Sequence, residues 1–185
     1  MNKLLDLDQK VFLPEFRIDE DTTRRRLEKN SFTDIAVFQG EALMGYVSLY
    51  PIPRNIYTEI HSGYFDESRV ERSTLPYQRI GVYDAYLCGI AIDKEQFPRF
   101  KVKFLIMQLE KHLQNLKKKG FFVNRIIAHA VSVPGRKTLE KMRFTETYPN
   151  IFVYFCFRQG YLFIKDRQDY SSNRKTNIHP KMVYV

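Results

Sequence analysis

The sequence predicts an α/β domain, a central twisted mixed sheet flanked by helices. Three observations carry this reading. Ala85 to Ile92 (AYLCGIAI) and Val123 to Val131 (VNRIIAHAV) are apolar runs of strand length, the first with the near-continuous pattern of a strand covered on both faces. Between them, from Pro98 to Lys119, the period becomes helical, with Val102, Leu105, Ile106, Leu109, Leu113 and Leu116 on one stripe. Ahead of them, Asp34 to Gln39 and Leu43 to Tyr50 flank Gly40-Glu41-Ala42, a short hairpin connection. Strand–helix–strand implies a right-handed parallel crossover and a hairpin is antiparallel, so the sheet is mixed.

The other elements follow in chain order. Residues 14 to 30 carry helix-forming Arg, Leu, Glu and Lys, with Asp21 or Thr22 as cap and a stop near Asn30. Pro51 and Pro53 end the second hairpin strand. Residues 54 to 83 are too many for a plain loop and read as an insertion over one end of the sheet. Within it, Asn55 to Ser62 forms a short helix closed by Gly63. Pro98 suits the first turn of the long helix, and Gly120 terminates it. A shorter helix spans Arg136 to Arg143, with Leu139 and Met142 inward. Ile151 to Phe157 reads as a final buried strand and Tyr161 to Ile164 as one more. The expected organisation is one domain over residues 1–166 and a basic polar tail over 167–185.

Composition narrows the function class. A chain of 185 residues, 44% hydrophobic, holds one sizeable core and is not a disordered segment. No apolar run approaches the roughly 20 residues that span a bilayer. The N-terminus lacks the apolar centre and cleavage site of a signal peptide. Cys88 and Cys156 lie inside apolar runs and read as free buried thiols, so the expected location is cytoplasmic. The histidines and cysteines show no metal-ligand spacing, and no metal is expected. The net charge of +9 suits an anionic ligand or a nucleic acid, and equally a merely basic surface.

Two segments carry a family resemblance. Leu43-Met44-Gly45-Tyr46-Val47 resembles the hydrophobic-x-Gly-Tyr/Phe-hydrophobic third strand of the GNAT superfamily of N-acetyltransferases. Gly135 to Phe144 (GRKTLEKMRF) resembles the A-x-x-L-Y-x-x-x-G-F helix that follows that family's fifth strand. The likeness in order and spacing runs from about residue 20 to 158. It implies the acyl-CoA N-acyltransferase (GNAT) fold and transfer of acetyl from acetyl-CoA to a primary amine by direct attack. It also implies a fourth and fifth strand that splay to admit pantetheine, a loop and helix N-terminus for the pyrophosphate, and a general base.

Carried onto this chain, the resemblance puts Ile90, Ala91 and Ile92 where strand backbone meets pantetheine. Arg99, Phe100, Lys101, Val102 and Lys103 fall at the pyrophosphate site. There the Q/R-x-x-G-x-G/A pattern keeps Gln96 but has Arg99 and Lys101 in place of its glycines. Either Arg99, Lys101 and Lys103 replace lost amide contacts with side-chain charge, or the lysines form a solvated helix face and the loop binds no CoA. Ser132 stands at a position often held by asparagine, and Leu139 at that of a tyrosine acid.

Asp84, beside Tyr83 and Tyr86 at the start of the fourth strand, is the candidate base, with Tyr86 as its companion. Against this stands a turn or strand-end aspartate. Glu59, His61, Asp66, Glu67 and Glu71 of the insertion lie where a substrate approaches, each readable as base or as surface. His129 reads as a core histidine, and Cys88 as an inert thiol with no acidic or histidine partner nearby in sequence. The competing function is a catalytically inactive module of the same fold that binds protein or nucleic acid through Arg24-Arg25-Arg26, Lys117-Lys118-Lys119 and Arg174-Lys175. A homodimer through the C-terminal edge strand is also compatible with the pattern.

Overall fold

Asp34–Gln39 (β1) and Ala42–Ile52 (β2) form the expected antiparallel hairpin, turning at Gly40, whose φ of 60° lies in the left-handed region. β2 runs through Pro51, which the sequence reading took as its end. Leu75 N–H donates to the Pro51 carbonyl at 2.8 Å, on the edge facing β1. Because a strand residue offers N–H and C=O to the same edge, the missing N–H of Pro51 also faces that edge. β1 has already stopped there, with Asp34 opposite Ser48. No ladder bond is lost, so the proline is tolerated.

The computed structural model describes residues 2–17, 19–156, 163 and 181–184. It is an α/β structure with a seven-stranded mixed sheet in the order β5-β6-β4-β3-β2-β1-β7. The remaining strands are β3 (Gly81–Ile92), β4 (Phe121–His129), β5 (Thr145–Tyr148), β6 (Ile151–Phe155) and β7 (Lys181–Tyr184). β3 and β4 are the parallel pair, joined by the long helix α5 (Val102–Lys118). This helix starts four residues later than Pro98 suggested, because Asp93 accepts from Gln96 N–H at 2.9 Å and folds the intervening residues into turns. β7 pairs with β1, so the end of the expected polar tail docks as an edge strand. The strand expected at Tyr161 to Ile164 lies outside the described residues, apart from Phe163, which is buried.

Two cores sandwich the sheet. On one face, Leu109, Leu113 and Leu116 of α5 and Leu139 of α6 (Val133–Lys141) pack on Val47, Leu49, Ala85 and Ile126. On the other lie α3 (Arg54–His61) and α4 (Glu67–Arg72), whose Ile56, Ile60 and Val70 meet Tyr50, Tyr86 and Ile127. The insertion therefore carries two short helices, and Gly63, at φ 87°, closes α3 as anticipated. An N-terminal helix that the sequence reading did not anticipate, α1 (Asn2–Val11), covers the same face with Leu4 and Leu7 against Tyr46 and Ala91. Asp19, not Asp21 or Thr22, caps α2 (Glu20–Lys29) by accepting from Thr22 N–H at 2.8 Å.

One irregularity positions everything that follows. β3 pairs with β4 from Gly81 opposite Phe121 to Leu87 opposite Ala128, and there the pairing stops. β3 continues alone along β2 to Ile92, while β4 follows β6 to His129. At the parting, Ser48 faces Gly89 and Leu49 faces Leu87, so Cys88 is an extra residue that bulges out of the ladder.

Candidate functional site

Where β3 and β4 part, a cavity of about 420 Å³ opens. Its walls are Leu87 to Ile90 and Ile92 of β3, Ala128 to Ser132 at and just beyond the end of β4, Leu139 of α6, and Phe12 and Phe16 from the segment that follows α1. The antiparallel ladder says which backbone groups face it. Asp93 N–H bonds Met44 O at 3.0 Å, so Ala91 and Gly89, in the same alternation, spend their backbone groups on β2. Ile90 and Ile92 offer theirs to the opposite edge, where no described strand pairs with them. Of the three strand residues singled out from sequence, Ile90 and Ile92 reach the cleft. Ala91 does not, its side chain being buried against α1.

A second cavity, about 590 Å³, continues from the first past Ile92, Val102 and Thr138. Lys94, Lys101, Lys103 and Lys141 line it, and among the described residues no carboxylate does. The first turn of α5 also lies here and carries no acidic residue. Two sequence expectations are corrected at this place. Phe100 is 4% exposed and packs in the core with Val37, Met44 and Leu105, so it is not a ligand contact. Arg99 is exposed and lines neither cavity. Lys94, whose Nζ donates to the Phe100 carbonyl, and Lys141 take part instead, and both were missed. Ser132 lines the first cavity and caps α6, accepting from Gly135 N–H at 3.1 Å.

Asp84 stands in the paired half of β3, directly opposite Arg125. Its carboxylate accepts two hydrogen bonds from that guanidinium, one at 2.8 Å, and the guanidinium lies 3.9 Å over the Tyr57 ring. Asp84 lines neither cavity, so the structure gives it a pairing role in place of the expected catalytic one. Tyr86 is 2% exposed, its ring against Phe65 and Tyr50, and burial pushes its phenol well up, keeping it a neutral hydroxyl.

The residues of the insertion separate in the same way. Glu59 pairs with Arg69 at 2.8 Å, His61 stacks on Tyr57, and Asp66 caps α4 by accepting from Arg69 N–H at 3.1 Å. Glu71 meets the buried Arg26 at 3.0 Å. Glu67 instead faces a chamber of about 20 Å³ that shares Phe12, Phe16, Cys88, Gly89 and His129 with the main cleft. Its carboxylate accepts a hydrogen bond from the Cys88 thiol at 3.1 Å, so the thiol has the acidic neighbour that sequence distance concealed. Burial pushes both Glu67 and Cys88 up, leaving Cys88 a thiol. His129 faces the same chamber, with Nδ1 buried and without a hydrogen-bond partner among the described residues. Burial lowers its pKa and keeps the ring neutral.

Among the described residues no group of His, Cys, Asp and Glu is arranged to hold a metal ion, and no helix is long and apolar enough to cross a membrane. No protein-family model matches the sequence, and no curated protein gives a significant match.

Proposed function

We propose that the protein is an acetyl-CoA-dependent N-acetyltransferase that transfers acetyl to a primary amine by direct attack. The observation that carries this reading is the parting of β3 and β4 after Leu87 and Ala128, with the backbone of Ile90 and Ile92 turned into the gap. An extended amide chain such as pantetheine pairs with such an edge as an added strand would. The cavity beyond supplies what a pyrophosphate needs, four lysines and a helix N-terminus with no opposing carboxylate among the described residues. Lys101 and Lys103 thus supply charge where the loop pattern lacks its glycines.

Both resembling segments have the backbone their patterns call for. A Cβ on Gly45 would stand 2.6 Å from the Ala91 carbonyl oxygen, so glycine is what lets β2 approach the end of β3. Arg143, at the glycine position of the helix pattern, has φ 65°, a conformation costly for a long side chain and easy for glycine. In the reaction, the amine nitrogen attacks the thioester carbonyl held at the inner end of the cleft. The strand edge and the lysines supply positioning, which converts a bimolecular encounter into a local one.

Thermal unfolding tests the reading. Millimolar acetyl-CoA and free CoA both raise Tm by several degrees and ATP does not, since a ligand at 100 times its Kd stabilises the fold by about 2.7 kcal/mol. Lys101→Ala combined with Lys103→Ala reduces the shift. No shift with either CoA species overturns the reading and directs attention to a non-catalytic module that binds protein or nucleic acid.

A further inference from the structure

Resting on the acetyl-transfer reading above, we infer that Glu67 is the general base, taking the proton that the acceptor amine loses at the inner end of the cleft. The bulge at Cys88 is where β3 leaves β4, and Glu67 meets that thiol, so the carboxylate stands at the deepest point of the parting. It is held on a fixed element. Asp66 caps α4, Arg69 ties it to Glu59 of α3, and Val70 beside it is 2% exposed. The chamber between has room for one water molecule or one amine nitrogen.

The groups facing Glu67 come from four strands and helices. Asp8 of α1 accepts from the Tyr46 hydroxyl of β2 at 2.6 Å; Tyr86 and Cys88 belong to β3 and His129 to β4. Glu71 lies one turn along its own helix. Among the described residues no lysine or arginine lines the chamber to neutralise Glu67. Burial makes it a stronger base than an ordinary carboxylate and makes His129 a weaker one than an ordinary imidazole. The step balances simply. An ammonium proton passes to Glu67, and the freed lone pair forms the C–N bond. The C–S bond breaks with its electron pair on the CoA sulfur, that sulfur takes the second proton from nitrogen, and Glu67 returns its proton to solvent.

Bromoacetyl-CoA, whose reactive carbon takes the place of the acetyl methyl, tests the assignment on the full chain without a known acceptor. Cys88 attacks that carbon, bromide leaves, and the thiol proton passes to Glu67. The expected result is a single adduct on the Cys88 peptide, blocked by excess CoA and formed at least tenfold more slowly in Glu67→Gln. In the unaltered protein the rate rises with one ionisation, above the ordinary carboxylate range and below that of a thiol. That profile needs no variant to fold. If acetyl-CoA leaves Tm unchanged, the parent reading fails. If Tm responds but Cys88 is unlabelled, or labelled as fast in Glu67→Gln, or if the loss follows His129→Asn instead, the assignment of Glu67 is overturned while the parent reading stands.

Discussion

Glu67 and Glu71 stand one turn apart on α4 and meet opposite surroundings. Glu71 accepts from Arg26 at 3.0 Å and from the Tyr50 hydroxyl at 3.4 Å. Arg26, fully buried over the Tyr50 ring, also binds Asp34, which accepts in turn from Thr33 and Ser48. Glu67 has one thiol and an open chamber. Burial is common to both carboxylates, so it does not by itself mark a functional group. What separates them is whether the fold has already used their lone pairs. Asp84 repeats the lesson, since a carboxylate clasped by Arg125 and lining neither cavity has little left for a substrate.

Breaking the closed side of this comparison has the largest effect. Arg26→Met leaves Asp34 and Glu71 buried without their cation and costs about 3–5 kcal/mol, measured by denaturant unfolding. A loss under about 1 kcal/mol would show that the cluster is not what joins α2, β1 and α4.

The next test sharpens the comparison through pH. One guanidinium serves two buried carboxylates, so burial outweighs attraction and Glu71 is pushed up to about 7 from its ordinary 4.5. Between these values the folded chain keeps a proton that the unfolded chain has released. Stability from this group is therefore present below pH 4.5 and lost as pH rises through about 7. His112, pushed down to about 4 by burial, contributes with the opposite sign up to its ordinary 6.5. The measurement is thus the difference between wild type and Glu71→Gln. If Glu71 is instead held ionised by Arg26, that difference grows as pH rises through the ordinary carboxylate range. The smallest effect belongs to Glu67→Gln, which changes stability by less than about 1 kcal/mol, because an amide oxygen still accepts from Cys88.

Much of the fold was legible because it is local. The stripe of α5 and the hairpin turning at Gly40 are short-range patterns, and both elements form. β5 was not legible, since all four residues of TETY are exposed and show no alternation. The leucines of α1 read only as a short apolar patch until Tyr46 and Ala91 are seen beneath them. Phe100 was misplaced by a motif alignment that could not register its burial in the core. The candidate site was less legible still. Glu67, Cys88 and His129 come from three separate elements, and no spacing connects them. One signal was available within α4: Glu67, Val70 and Glu71 share a helical face, and polar residues flanking a buried valine ask for partners.

The measurement that bears most directly on the cleft is amide hydrogen exchange along β3 with and without acetyl-CoA. The account predicts new protection at the N–H groups of Ile90 and Ile92, with Gly89 and Ala91, already bonded to β2, unchanged. Protection that is absent at Ile90 and Ile92, or equal at all four residues, would contradict the claim that the parted strand edge is where the cofactor binds.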